Sequence, residues 1–282
     1  MGCVLLGFFM VVTMVNGSSA DSLLLTPASW LDNHAAEGGA KIRGLRAGKP
    51  GAPGVVLVHE WWGISDMLKE HAATLAKDYS VFVPNFHYDS GMHPAHESVT
   101  AMLGSHDFTQ KGYWMAMAHG ITEDFLPGVN ATITAARLEG SKMVAVVGFC
   151  LGGAVAISAL ARLDGAVSAA VSFSGVPFKL PSTPLDRPFQ GHFGAASKAS
   201  GFSDSTATAA LRAACPPSSK DHEVFVYDGA GHGFLNNHEK HAADRRKMGL
   251  GGEEAKEAAA AKQAWARALE FLDRHMRPKK AG

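Results

Sequence analysis

The 282-residue sequence has no excess of charge, few cysteines and no apolar run long enough to cross a membrane. Basic and acidic residues number 26 each, so the formal net charge is +0 and no basic stripe could bind a nucleic acid. The longest apolar stretch, residues 4–15, falls short of a membrane span. The chain is 46% hydrophobic, enough to bury one large core, so we expect a single domain over residues 21–282.

The sequence pattern of residues 1–20 predicts a signal peptide. Residues 4–15 have the length of the apolar segment of such a peptide, and the small residues 17–20 are typical of a cleavage site. No lysine or arginine precedes Lys41, so the basic start of a standard signal peptide is missing. We expect the secretory pathway or secretion, with an organelle or the cytoplasm as the alternative.

The most informative motif is the apolar run 144–147 that breaks into Gly-Phe-Cys-Leu-Gly around Cys150. This order predicts a nucleophile elbow, in which a buried strand ends, the chain turns sharply and a helix begins at about Leu151. Gly148 and Gly152 leave the space that such a turn requires. The helix N-terminus favours the thiolate form of Cys150. A small buried structural cysteine is the alternative interpretation.

Two further strand ends carry candidate residues. His232 lies in a glycine-rich loop after an apolar strand, and a histidine titrates near neutrality, as a general base should. Cys150 precedes His232, which is the chain order of α/β-hydrolases. Glu60 follows the apolar run 54–58, where a buried carboxylate is unfavourable unless it is paired or functional. Taken alone, His232 could be a surface residue and Glu60 a strand-end cap.

Apolar and amphipathic segments alternate along the chain, and this alternation predicts a doubly wound, mostly parallel sheet with its ligand at the carboxyl edge. Residues 90–120 are polar and rich in breakers and predict loops and short helices. We expect strands at 55–59, 81–84, 143–147, 166–172, 189–193 and 223–227, and helices at 65–78, 121–138 and 253–276.

Together the segments around Glu60, Cys150 and His232 resemble the dienelactone hydrolase family, a cysteine-using branch of the α/β-hydrolase superfamily. The resemblance extends from about residue 52 to the C-terminal helix. It implies the α/β-hydrolase fold, with helices on both faces of the sheet and no large cap domain. The motifs that carry it are residues 59–63, 84–86, 148–153 and 229–234.

The resemblance also implies a role for each candidate. Cys150 corresponds to the nucleophile, His232 to the general base, and Glu60 to the carboxylate that controls ionisation of the cysteine until substrate displaces it. The backbone N–H groups of Trp61 and Leu151 correspond to the oxyanion hole, where two donors stabilise a tetrahedral intermediate.

The sequence departs from the family at the acid that orients the histidine. Ser197 occupies the matching position, and a serine can accept a hydrogen bond from the ring but cannot stabilise an imidazolium as a carboxylate does. Asp204 is the nearest downstream carboxylate and the alternative candidate. We therefore expect that the standard acid is lost.

A second departure concerns the substrate. Asp89 and Asn236 occupy the positions of two arginines that bind the substrate carboxylate in dienelactone-cleaving relatives. Without cationic partners an anionic lactone loses its charge-assisted hydrogen bonds, so we expect a small neutral ester or lactone instead. The residues expected to line its site are apolar and aromatic: Trp61, Trp62, Phe149 and Phe234.

We expect no cofactor, no metal and a monomer. If Cys3 is removed with the signal peptide, Cys150 and Cys215 remain, and both should be free because a disulfide would inactivate the nucleophile. The spacing of the loop histidines fits no standard zinc pattern; they are His87, His93, His96, His238 and His241.

Two classes of function follow. The first is a hydrolase that cleaves small esters or lactones through an acyl-enzyme on Cys150. The second is a catalytically weakened or inactive binding protein on the same fold, which the serine at position 197 favours. The glycine-rich, strained turn around a retained cysteine favours the first class, because such strain serves no folding purpose.

Overall fold

The structure, a computed structural model, describes residues 26–31, 41–86, 111–180, 182, 185–216 and 219–277. Eight strands form one sheet: β1 (Thr26–Leu31), β2 (Lys41–Ala47), β3 (Gly54–Val58), β4 (Ser80–Pro84), β5 (Val144–Phe149), β6 (Ala169–Phe173), β7 (Phe189–Gly194) and β8 (His222–Tyr227). Six helices are described: α1 (Asp66–Leu75), α2 (Lys111–Leu138), α3 (Leu151–Arg162), α4 (Ser205–Ala214), α5 (Glu239–Lys247) and α6 (Glu254–Met276).

The strand order is β1-β2-β4-β3-β5-β6-β7-β8. The pairings of β1 with β2 and of β2 with β4 are antiparallel, and all pairings from β4 to β8 are parallel. The parallel strands end at one edge, so the residues that follow β3, β5 and β8 meet there. The predicted α/β-hydrolase fold is confirmed, and no described connection between strands holds a separate cap domain.

Helices cover both faces of the sheet. In β3, Val55 and Leu57 pack in the core beneath α1 and α6, whereas Val56 and Val58 pack in the core beneath α2 and α3. A strand buried on both faces needs apolar residues at every position, which explains the unbroken apolar sequence of β3. None of the described helices combines the length and the apolar character that crossing a membrane requires.

The six predicted strands match β3 to β8 within a few residues, and the helices predicted at 65–78 and 253–276 match α1 and α6. The prediction of loops and short helices was wrong over residues 111–120, which form the first part of the 28-residue helix α2. Two helices, α4 and α5, were not predicted. The expected signal peptide, residues 1–20, and Asp89 lie outside the described residues.

Close backbone packing at the elbow generates a stability prediction. A Cβ atom on Gly148 would lie 1.8 Å from the carbonyl oxygen of Gly152, whereas one on Gly120 in α2 would meet no atom within 4 Å. Gly148→Ala should therefore lower the free energy of unfolding by at least the roughly 1–3 kcal/mol typical of overpacking. Gly120→Ala should raise it by up to about 1 kcal/mol, because alanine favours a helix. Denaturant unfolding of both variants tests this; equal effects would contradict it.

Candidate active site

Cys150 occupies a strained turn between β5 and α3. Its backbone angles are φ 52° and ψ −116°, a region that residues other than glycine rarely adopt. The turn is tight because a Cβ atom on Gly152 would lie 2.3 Å from the carbonyl oxygen of Val58 in the neighbouring strand. The elbow expected from the sequence is therefore present, and it holds the Cys150 side chain at the carboxyl edge of the sheet.

The structure brings Cys150 and His232 into direct contact. The Nε2 atom of His232 lies 3.1 Å from the Sγ atom of Cys150. The backbone N–H of His232 donates to the carbonyl of Leu250 at 2.9 Å, and Arg245 donates to the carbonyl of His232 at 3.1 Å. These bonds fix the loop that carries the imidazole. Cys150 and Cys215 are both free thiols.

Burial keeps the Cys150–His232 pair neutral. Desolvation raises the pKa of Cys150 well above its ordinary value, the Glu60 carboxylate raises it further, and the backbone N–H of Leu151 lowers it. Desolvation, with the charge of Arg245 adding to it, lowers the pKa of His232 to about 3. The start of α3 acts in the expected direction, since the N–H of Leu151 lowers the pKa of Cys150, but the loss of hydration outweighs it.

Glu60 is buried beside this pair. Desolvation raises the pKa of Glu60 to about 7, although a hydrogen bond from Asn236 and the charge of Arg245 act in the opposite direction. The Nδ2 atom of Asn236 donates to Oε2 of Glu60 at 2.5 Å. Asn236, expected to contact substrate, is itself fully buried and instead binds Glu60. Glu60 therefore changes protonation state near neutral pH.

The turn that carries Glu60 is held by His59. The backbone N–H of Phe86 donates to Nε2 of His59 at 3.1 Å, so the proton of this imidazole lies on Nδ1 and is donated to the carbonyl of Glu60 at 2.6 Å. The N–H of Gly63 donates to the same carbonyl at 3.0 Å. These contacts direct residues 60–63 over the elbow and explain why an apolar strand ends in a buried histidine.

A pair of serines lies behind His232, where an acid was sought. The Oγ atom of Ser203 lies 2.7 Å from Nδ1 of His232, and the Oγ atom of Ser197 lies 2.7 Å from that of Ser203. The assignment of Asp204 as the alternative acid is corrected by the structure. The carboxylate of Asp204 accepts the N–H of Ala207 at 2.9 Å and caps α4. Sequence reasoning missed Ser203, since an uncharged side chain in a loop carries no distinctive signal.

A buried ion pair ties the histidine loop to α6. The two terminal nitrogens of Arg245 contact the carboxylate of Glu257 at 3.0 and 3.1 Å, and one of them also donates to the carbonyl of Asn236 at 3.3 Å. Glu257 further accepts the N–H groups of Gly231 and Gly252 at 3.0 and 2.8 Å. Burial raises the pKa of Glu257, but Arg245 outweighs this and holds it below its ordinary value.

A small pocket opens beside the thiol. Its cavity volume is about 20 Å³, room for about one water molecule. It is lined by Glu60, Trp61, Trp62, Cys150, His232, Gly233, Arg245, Met248 and Leu250. Met248 and Leu250 had no recognisable signal in the sequence.

Two expected wall residues, Phe149 and Phe234, do not line this pocket. Phe149 stacks on Phe173 with ring centroids 5.1 Å apart in the core beneath α1 and α6. Phe234 packs against Tyr227 in the same core, with ring centroids 5.3 Å apart. Successive side chains of β5 point to opposite faces of the sheet, and that of Phe149 points into this core. Its position next to Cys150 in the sequence therefore does not place it in the site.

The fold and the elbow define an α/β-hydrolase with cysteine at the nucleophile position and a histidine in contact with it. The chain belongs to the dienelactone hydrolase family, whose family model matches residues 42–276. Membership of this family supports a hydrolase that acts on small molecules. Protein usf of Aquifex pyrophilus is 26% identical over 205 residues, which cover 70% of this chain and 84% of that protein.

Solved structures share the fold. A dienelactone hydrolase-like promiscuous phosphotriesterase from metagenomic libraries matches with a TM-score of 0.62 at 19% identity, covering 90% of this chain and 99% of its own. An esterase of Pyrococcus furiosus matches with a TM-score of 0.60 at 14% identity, covering 93% and 98%. At these identities the likeness is one of fold.

The Arg245–Glu257 pair should contribute strongly to stability. Glu257→Gln leaves the buried guanidinium without its countercharge, so the free energy of unfolding should fall by about 3–5 kcal/mol. The matched control is Glu123→Gln, which breaks the exposed pair with Arg162 and should cost about 0–1 kcal/mol. Guanidinium chloride unfolding measures both; similar losses in the two variants would argue against this role.

Glu60 should suppress ionisation of Cys150. Above pH 7 its carboxylate is charged and opposes a thiolate, so Glu60→Gln should lower the pKa of Cys150 and speed iodoacetamide labelling at pH 8 by roughly tenfold per pKa unit. Cys215, half-buried with a pKa raised to about 11 by burial, is the internal control and should label at an unchanged rate. Peptide mass analysis separates the two sites. Slower or unchanged labelling of Cys150 would remove Glu60 from this role.

Proposed function

We propose that the protein hydrolyses small neutral esters or lactones through a covalent acyl-enzyme on Cys150. The observation that carries the proposal is the 3.1 Å contact between Sγ of Cys150 and Nε2 of His232 at a strained elbow. A nucleophile and a base within hydrogen-bond reach are the minimum machinery of acyl transfer. Both side chains line the small pocket described above.

At rest the Glu60 carboxylate opposes ionisation of Cys150, and in the first half-reaction, once substrate occupies the pocket, Glu60 takes the proton of the thiol. Glu60 lines the same small pocket as the thiol, and burial raises its pKa to about 7, so its carboxylate can accept a proton near neutral pH. The thiolate attacks the substrate carbonyl, whose oxygen is then held by the backbone N–H groups of Leu151 and Trp61. Trp61 lines the pocket from the turn after β3, and Leu151 begins α3 directly after Cys150. Two such bonds stabilise a tetrahedral intermediate by several kcal/mol, on the order of 3 kcal/mol each.

In the second half-reaction His232 activates water. Its Nε2 atom faces the sulfur, so a water molecule that replaces the departed alcohol lies within reach of the same nitrogen. The water attacks the thioester, the acid product leaves and Cys150 regains its proton. Leu151 and Trp61 serve this step as they serve the first.

The pocket favours neutral substrates. Trp61, Trp62, Met248 and Leu250 supply apolar walls, while the guanidinium of Arg245 is bound to Glu257 and to two backbone carbonyls. The fold is also that of a solved esterase and of a phosphotriesterase, which are named for ester substrates. A competing function, binding without turnover, has one observation in its favour: hydroxyls rather than a carboxylate contact Nδ1 of His232.

Steady-state hydrolysis of p-nitrophenyl acetate separates these two functions. Cys150→Ala should lower kcat/KM by at least about a hundredfold, since acyl transfer then lacks its nucleophile. Cys215→Ala, which removes the other described thiol, should leave the rate within about twofold. Equal activity of the wild type and Cys150→Ala would reject the hydrolase and leave the binding function.

Charge should decide between substrates. An anionic lactone entering the pocket gains no free cation from Arg245 and approaches the Glu60 carboxylate in a medium of low effective dielectric. The wild type should therefore hydrolyse a neutral lactone with a kcat/KM at least about tenfold higher than that for a dienelactone of similar size. Preference for the anion would show that a cationic group outside the assigned pocket binds the carboxylate.

A further inference from the structure

The hydroxyl pair behind His232 is the least expected feature of the site. Ser203 is fully buried and Ser197 nearly so, and their oxygens continue a line of contacts from Nδ1 of His232 at 2.7 Å per step. In triads that end in a carboxylate, the acid both orients the imidazole and stabilises the imidazolium. A hydroxyl performs the first task and cannot perform the second, because it carries no charge at neutral pH.

The charged groups around His232 add little to cation stability. Arg245 of α5 contacts the histidine carbonyl and disfavours a positive ring, while Glu257 of α6 is committed to Arg245. Glu60, after β3, lines the pocket together with Cys150, and its charge opposes ionisation of the thiol. Protonation of His232 is therefore unfavourable in free energy, whereas protonation of Glu60 is not.

The two half-reactions differ in which of these two groups, Glu60 or His232, is protonated. In acylation the thiol proton goes to Glu60, the S–C bond forms, the ester C–O bond breaks, and Glu60 returns the proton to the alkoxide that leaves. In deacylation the water O–C bond forms, one water proton goes to Nε2 of His232, the C–S bond breaks and that proton passes to the sulfur. Only deacylation passes through an imidazolium.

We propose that Ser203, backed by Ser197, is the positioning residue that replaces the acid, and that this replacement makes deacylation the slow half-reaction. The inference rests on the proposed function. Nδ1–H of His232 donates to Ser203, the hydroxyl of Ser203 donates to Ser197, and the free lone pair of Nε2 faces the sulfur. The enzyme thus accumulates as a thioester on Cys150 during turnover.

Stopped-flow p-nitrophenol release from p-nitrophenyl acetate tests the inference. The wild type should show a burst of about one p-nitrophenol per active site and then a slow steady rate. Ser203→Ala should keep the burst rate constant within about twofold while kcat falls by about threefold to tenfold, the scale of one hydrogen bond. Because only deacylation changes, KM should fall with kcat and kcat/KM should stay constant. Ser197→Ala should act in the same direction and more weakly.

A variant that should gain activity provides the complementary test. Ser203→Asp supplies a carboxylate at Nδ1, so kcat should rise by at least about tenfold and the burst should disappear. The matched control is Ser141→Ala, which deletes another buried hydroxyl bond, to the carbonyl of Ala52 at the opposite edge of the sheet, and should change neither phase. Circular dichroism checks folding of each variant; if Ser203→Asp does not fold, the alanine variants decide.

The outcomes separate the two proposals. A wild-type burst with unequal effects of Ser203→Ala on burst and steady rate supports the inference. Turnover without a burst, or equal loss in both phases, overturns it and leaves the hydrolase intact. No effect of Ser203→Ala on either phase also overturns it. Absence of both burst and turnover in the wild type rejects the hydrolase, and the inference with it.

Discussion

Burial of ionisable groups at the carboxyl edge of the sheet is the constraint on which the site depends. Cys150, His232 and Glu60 are each 3–7% exposed, so each favours its uncharged form more than it would in water. Desolvation is the largest cause of the shift in pKa for all three. The site at rest is therefore a neutral thiol and a neutral imidazole, with one carboxyl group that changes charge near neutral pH.

The rest of the local architecture follows from that constraint. A buried arginine requires a countercharge, and Glu257 of α6 supplies it while binding two N–H groups of the surrounding loops. Arg245 in turn holds the carbonyls of His232 and Asn236. Asn236 completes the chain of contacts by donating to Glu60. One connected network thus sets the position of the imidazole and the charge of the carboxyl group opposite it.

The sequence was informative where local patterns decide structure. The apolar strands that precede Glu60, Cys150 and His232 predicted both the sheet and the meeting of these residues at one edge. Helix α5 could not be foreseen, because it is strongly charged and buries little besides Ala242 and Arg245. The start of α2 was missed because glycines interrupt its first ten residues.

Within the site, the failures have a tertiary cause. Phe149 was assigned to the pocket because it is adjacent to Cys150 in sequence, although the pleat of β5 directs its side chain into the core beneath α1 and α6. Ser203 meets His232 only because the loop before α4 folds over the elbow, and Asp204 is used to cap that helix. The charge state of Cys150 depends on how completely the folded chain excludes water from the thiol, and no sequence motif specifies this.

Rapid-quench peptide mapping tests the central claim most directly. The protein is mixed with p-nitrophenyl acetate, quenched in acid during turnover and digested, and the acetylated peptide is identified by mass. The account predicts acetyl on the peptide that contains Cys150, in an amount close to one per active site. Acetyl confined to surface lysines or to Cys215, or turnover with no acetylated Cys150, would contradict it.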